Sequence, residues 1–326
     1  MMSLAMVADS VAVFSVESPT YAAIRFVQFS AVTILFGSLA LVQIVLPRFV
    51  RDARADATVV ESIVVHALHW TRLALVVLAG ATLARLAAQH IVYFEEASWS
   101  MGTMQPLLLL SGWGHAWLLA AAAIALGFLA HRLAHHQQRG SWLLLSIPAF
   151  ALSWSLAMSG HAAAAPNPLL AMTLDALHVI AAGGWIGSLA MVMLIAVPAV
   201  LRTSNNGHQT VARLIAAFSP TALAFAFTLG VTGTIAGWRN VGSWHALIGS
   251  AYGRLLVIKL ALVAVVAAAG AINWRRILPR LGEASATRTL QRSAQFELAA
   301  ALVILVLTAV LVATPTPELI VASGTS

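Results

Sequence analysis

Asp175 and His178 stand three residues apart in Met172-Thr-Leu-Asp175-Ala-Leu-His178, so a helix places both on one face, with Met172 and Met158 as weaker candidate donors. A carboxylate beside an imidazole orients the ring and raises its basicity, as behind many metal-ligating histidines. His161 follows Met158 in Met158-Ser-Gly-His161-Ala, and His115 stands in Ser111-Gly-Trp-Gly-His115-Ala. Both sit next to glycine, where backbone can approach closely. Met101 and Met104 add two thioethers at the same spacing, with Glu95 and Glu96 just before them, and His90 and His245 are weaker candidates. The chain has no cysteine but 11 His and 9 Met, so a bound metal must use imidazole, thioether, carboxylate or backbone oxygen. Such donors suit copper as Cu(I) or Cu(II), and thioether favours Cu(I). Each candidate also has a structural reading. Asp175 would orient His178 or pair with Lys259, His115 and His161 would be interfacial histidines, and Met101 and Met104 would pack a loop. His66 and His69 are candidate axial ligands for haem b, which a four-helix environment can hold.

The elements that position these residues follow from composition. Of 326 residues, 60% are hydrophobic and 9% charged, against roughly a quarter charged in soluble domains. With a mean hydropathy of +0.90, this excludes a soluble enzyme, a disordered chain and a nucleic-acid binder, despite a pI near 11.2. A membrane-spanning helix needs about 20 mostly apolar residues. Eight stretches qualify, near Tyr21–Leu46, Ser62–Ala88, Trp113–Arg132, Trp142–Met158, Leu169–Val200, Val211–Trp238, Ala251–Trp274 and Ser293–Ala313. No strand alternation is visible. The fold class expected is an all-α integral membrane protein, a polytopic bundle of about eight transmembrane helices.

Charge between the spans alternates. Arg48, Arg51 and Arg54 follow the first span, Arg132 and Arg139 the third, Arg202 and Arg213 the fifth, and Arg275, Arg276, Arg280, Arg288 and Arg292 the seventh. By the positive-inside rule these connections face the cytoplasm and both termini face outside. His115, His161, Asp175 and the Met101/Met104 pair then share the outer face, with His178 about 13 Å inside it, a depth where an ionisable group usually faces a polar interior. No cleavable leader is expected, since the first twenty residues carry Asp9 and Glu17 but no Lys or Arg. Arg72 and Arg85 are expected to snorkel from the ends of the second span. Glu297 is expected to pair with an arginine or Lys259, and His131, His135, His136 and His208 to be solvated. Gly183-Gly184-Trp-Ile-Gly187 reads as a close helix-packing surface.

From Met158 to Pro317 the sequence resembles the CopD/PcoD copper-resistance family of bacterial inner-membrane proteins. The resemblance is carried by Ser159-Gly-His161-Ala, Asp175-Ala-Leu-His178-Val-Ile-Ala-Ala-Gly-Gly-Trp-Ile-Gly187 and Arg213-Leu-Ile-Ala-Ala-Phe-Ser219. It continues through Thr232-Gly-Thr-Ile-Ala-Gly-Trp238, Tyr252-Gly-Arg-Leu-Leu-Val-Ile-Lys259-Leu, Asn273-Trp-Arg-Arg-Ile-Leu-Pro279 and Thr314-Pro-Thr-Pro317. The chain divides on this reading into residues 1–158, a four-helix half agreeing mainly in hydropathy, and 159–326, a CopD-like four-helix half. The resemblance implies that His161, Asp175 and His178 handle copper, with a periplasmic CopC-type protein as a separate partner chain.

The expected function is that of a copper-binding inner-membrane protein and not an enzyme. It takes copper at the periplasmic face and moves it across or into the membrane, in copper transport, homeostasis or resistance. No Gly-x-x-x-x-Gly-Lys-Ser/Thr phosphate loop is present to power it by ATP. Two other classes stand beside this reading. One is a haem-binding electron-transfer protein or metal reductase built on His66 or His69; the other is a membrane scaffold for copper-handling partners. The partners expected are the lipid bilayer and the CopC-type chain, with no nucleic acid.

Overall fold

The computed structural model describes residues 18–53, 56–94, 98–135 and 140–317, together with the side chains of nearly all of them. Glu95, Glu96, Arg54, His136 and Arg139 lie outside the described residues, as does the side chain of His135. The protein is an all-α polytopic membrane protein. Eight helices are long and apolar enough to cross a bilayer: α1 (Pro19–Asp52), α2 (Ala57–Phe94), α3 (Gly112–Ala134), α4 (Ser141–Met158), α5 (Pro168–Thr203), α6 (Gly207–Val241), α7 (Ala251–Arg280) and α8 (Ala284–Ala313). Two short helices, Met101–Leu109 and Trp244–Gly249, lie between spans.

Each expected span is present, and most run further than hydropathy alone marked. The extension is largest at the arginine-rich ends. Arg48 and Arg51 lie on α1, Arg275, Arg276 and Arg280 on α7, and Arg288 and Arg292 on α8, rather than in loops. Arginine is a good helix former, and its long stem lets the guanidinium reach water from a helix that continues past the hydrocarbon. At the opposite, terminal face, side-chain caps start the helices. Ser18 accepts from the backbone of Tyr21, Asn167 from Leu170 and Ser250 from Gly253, which satisfies N–H groups that a first turn leaves unpaired.

Helices α1 and α5 form the centre, each with 72% of its most apolar window buried, whereas α7 has 11%. They meet at glycine. A Cβ on Gly37 would collide with the backbone of Gly187, and one on Gly187 with the carbonyl of Thr33. Gly183 likewise leaves room for Phe36, and Gly184 for Phe225 of α6. At this crossing α5 loosens into a π-helical turn over Gly183–Gly187, followed by another at Val192–Ala196. Polar ties lock neighbouring helices to the centre. Gln43 donates to the Trp142 carbonyl and Ser146 hydroxyl of α4, both at 2.9 Å, and Arg48 donates to Thr221 of α6 at 2.8 Å.

Two apolar cores result. One joins α1 to α2, α3, α4 and the end of α8; the other joins the lower part of α1 to α2, α5, α6 and the start of α8. Helix α7 packs mainly on α8 and the short Trp244–Gly249 helix.

Three expectations about polar residues change. Arg85 does not snorkel: it is 3% exposed, facing the bundle interior beside Arg25, also 3% exposed. Glu297 is buried and accepts from Asn273 at 2.5 Å and Ser293 at 3.5 Å, neutral donors in place of a cation. His131 is buried, with its Nε2–H donating to the Leu68 carbonyl at 2.9 Å, and His208 is bonded to Thr287 at 3.1 Å.

The α1–α5 crossing sets a test. Gly187→Leu should cost at least about 1–3 kcal/mol, because the collision is with backbone and cannot be relieved by a rotamer change. Thermal unfolding in detergent would read this directly. Gly230→Ala, with nothing within 4 Å of its added carbon, should stay within about 0.5 kcal/mol of the parent.

Candidate functional site

The sharpest sequence pair lies at the seam of α5, α6 and α7. Asp175 and His178 occupy one stripe of α5, both half-buried. His178 is ten residues from the helix start at Pro168, about 15 Å at 1.5 Å per residue. The His178 ring takes the space that a side chain at Gly233 of α6 would need, since a Cβ there would stand 2.9 Å from Cε1.

Hydrogen bonding assigns the tautomer of this ring. His178 Nδ1 is 3.2 Å from Thr232 Oγ1, and that hydroxyl already donates its hydrogen to the Thr228 carbonyl at 2.7 Å. The threonine oxygen is therefore the acceptor and Nδ1 the donor, and the ring has a further hydrogen bond to the backbone of Leu229. This is the arrangement that a metal-ligating imidazole requires, with a fixed ring and one nitrogen held by a neighbour.

Other polar groups extend this point into a column. Asp175 lies within electrostatic reach of Arg239 on α6 and Lys259 on α7, and Lys259 also acts on His178. Asp175 makes no ion pair in contact with either; the one contact ion pair among the described residues is Arg51–Asp52. Tyr252, buried in the first turn of α7, feels the charge of Asp175 and accepts a hydrogen bond from Asn240 Nδ2 at 2.9 Å. Its ring meets His161 edge to face, with centroids 6.2 Å apart. His161 begins a short 3-10 turn, His161–Ala164, between α4 and α5 at the terminal face. Burial, and after it the positive field of Arg25, hold its ring below the ordinary histidine pKa, so it is neutral near pH 7.

From the terminal face inward the order is thus His161, Tyr252, Asp175 with Arg239 and Lys259, then His178 on Thr232. These residues follow one another in depth and do not form one cage. Among the described residues no three of His, Cys, Asp or Glu come together as a metal-holding group. Met158, at the end of α4, and Met172, one turn before Asp175, are half-buried at the same end.

The N-terminal donors stand apart from this seam. Met101 is 79% exposed at the start of its short helix, with Met104 half-buried one turn on. His115 is exposed and its Nε2–H donates to the Leu109 carbonyl at 2.9 Å. His90 is buried, stacked on Trp99 at 4.3 Å and bonded to Thr103 at 3.1 Å, which fits a packed histidine tying α2 to the Met101–Leu109 helix. His245 is exposed on the Trp244–Gly249 helix.

The haem candidates lie at the arginine face. His66 is exposed, with Nδ1–H donating to the Ser62 carbonyl at 2.7 Å. His69 opens on a groove of about 1420 Å³ that His131 also lines. Because His131 commits Nε2 to Leu68, the histidine across from His69 has no free Nε2 for axial ligation.

Sequence reading alone missed the roles of Thr232, Tyr252, Asn240 and Arg239. The signal for Thr232 and Tyr252 was their place inside stretches already carrying a resemblance; for Asn240 and Arg239 it was polarity at the close of a long apolar helix.

Comparison with known proteins identifies a family. Residues 212–311 match the family model Copper resistance protein D, and residues 16–169 match Copper resistance protein D-like, N-terminal domain. The first half of the chain, whose resemblance rested on hydropathy, therefore has a family match of its own. A similar protein is the Copper transport protein CutJ of Bacillus subtilis (strain 168), 26% identical over 221 residues, which are 66% of this chain and 39% of CutJ. The match thus spans well under half the length of that relative. No solved structure matches. With residues 16–169 and 212–311 matched in order by two models of one family, the chain belongs to the copper resistance protein D family.

Proposed function

We propose that this protein carries copper from the periplasmic face of a bacterial inner membrane inward along the α5–α6–α7 seam, as a transporter and not as an enzyme. The observation that carries this reading is the His178 ring, oriented through Nδ1 by Thr232 and sharing one stripe of α5 with Asp175. A stripe of arginines at one face supports the orientation with both termini outside.

On this reading copper is the cargo. His161, neutral and half-buried, receives the ion at the mouth, with the thioethers of Met158 and Met172 as soft co-ligands suited to Cu(I). Deeper in, His178 Nε2 takes the ion, and Asp175 supplies the negative charge that offsets it. Asp175 already answers two cations, Arg239 and Lys259, so an arriving copper ion competes with them for one carboxylate. That competition keeps binding weak enough for release, which conduction through successive sites requires. A CopC-type periplasmic protein, as a separate chain, would deliver the metal to His161. The exposed Met101 and half-buried Met104 would be the thioethers with which such a carrier exchanges copper.

Purified wild-type protein loaded with copper should retain about one ion, and His178→Ala should lose it while inserting normally in the membrane. Full retention by the variant would refute a ligand role for His178. Thr232→Val should lower copper affinity about 10- to 100-fold by freeing the ring, whereas Thr232→Ser should restore it. Equal affinity in all three proteins, read by competition with a chromogenic chelator, would remove the threonine from the site.

A further inference from the structure

A second polar cluster lies between α1, α2 and the start of α3, and the copper reading does not use it. Arg25 of α1 and Arg85 of α2 are each 3% exposed. Both direct an Nη1–H to one neutral acceptor, Gln28 Oε1, at 3.4 Å. Neither guanidinium bonds a carboxylate among the described residues. Their Nε–H groups are buried with no hydrogen-bond partner, and so is the indole N–H of Trp113.

Two aromatic rings wall the cluster. The Arg25 guanidinium lies 4.8 Å from the Phe29 ring centre, and that of Arg85 lies 5.6 Å from Trp113. Tyr21 donates to Gln89 at 3.3 Å, and its hydroxyl faces Arg85 and Trp113. The balance is one-sided: two positive charges and at least three idle N–H donors, against oxygens that are already shared. Buried charge is tolerated when it is paired, and a buried donor without an acceptor is unfavourable. What the cluster lacks is a compact negative acceptor.

We propose that Arg25, Arg85 and Trp113 form a buried binding site for a small monovalent anion of halide size, chloride being the ion at hand. The two Nε–H groups and the indole N–H are the donors, and Gln28 holds the guanidiniums together beneath the ion. Aromatic walls favour a weakly hydrated monovalent ion over phosphate or sulfate, whose second charge and larger hydration shell would have to be stripped. Arg25 is six residues from the helix start at Pro19, about 9 Å in, so the ion enters from the terminal face. This site stands on its own geometry and does not depend on copper transport.

The test uses full-length protein in detergent or nanodiscs, with sodium chloride exchanged for sodium gluconate at constant ionic strength. Chloride should raise the unfolding temperature of wild type in a saturable way. Arg25→Gln and Arg85→Gln should abolish the response, and Arg72→Gln, at an exposed arginine of α2, should keep it. Superimposed wild-type curves in the two salts would overturn the proposal and leave the arginines neutralised from within, for instance by Tyr21. A response surviving in both buried-arginine variants would overturn it too. Should those variants not fold, chloride NMR line broadening on wild type decides: broadening displaced by bromide is expected, and its absence overturns the site.

Discussion

The contact between Gly37 and Gly187 is the constraint on which the rest of the architecture depends. In lipid, helix association gains nothing from expelling water, so it rests on close van der Waals approach and a few polar ties. Two glycines that bring backbones into direct contact supply that approach at the centre of the bundle. Once α1 and α5 are pinned there, α5 is held with Asp175 and His178 turned toward α6 and α7. Helix α1 is held with Arg25 turned toward α2. The π-helical turn at Gly183–Gly187 belongs to the same contact, since it adds the local rotation that lets the small residues face α1 while the stripe above them faces the seam.

Much of this was legible in the sequence because the bilayer makes it so. Eight apolar stretches of the right length leave few other folds, and the arginine-rich connections predict an orientation. The spacing of Asp175 and His178 was legible for the same reason, since an i,i+3 pair shares a helix face wherever the helix sits. What hydropathy cannot convey is rotation about the helix axis. The polar residues of α2 are scattered around the helix and do not gather on one face to announce its inward side, so Arg85 read as a snorkelling residue when in fact it turns in to meet Arg25. The partnership of Thr232 with His178 lay beyond reach, because it needs the register of two helices distant in sequence.

The polar groups of the interior share a habit. Glu297 is met by Asn273 and Ser293, His178 by Thr232, Tyr252 by Asn240, and the two buried arginines by Gln28. Neutral amides and hydroxyls hold the charged or titratable groups, and direct acid–base pairing is scarce. A contact ion pair in low dielectric is hard to break once made. A charge held by a neutral partner keeps its field and can answer a mobile ion. That suits a protein whose family handles copper.

Helix α7 adds one more consequence. It carries Tyr252 and Lys259, two members of the polar column, yet only 11% of its most apolar window is covered by protein. Acyl chains must solvate the remainder. Its tilt is therefore set as much by bilayer thickness and lateral pressure as by side-chain packing. A thicker or stiffer membrane will change how far Lys259 stands from Asp175, so the lipid around α7 becomes part of what spaces these charges, and the composition of the membrane a variable in the polar interior of the protein.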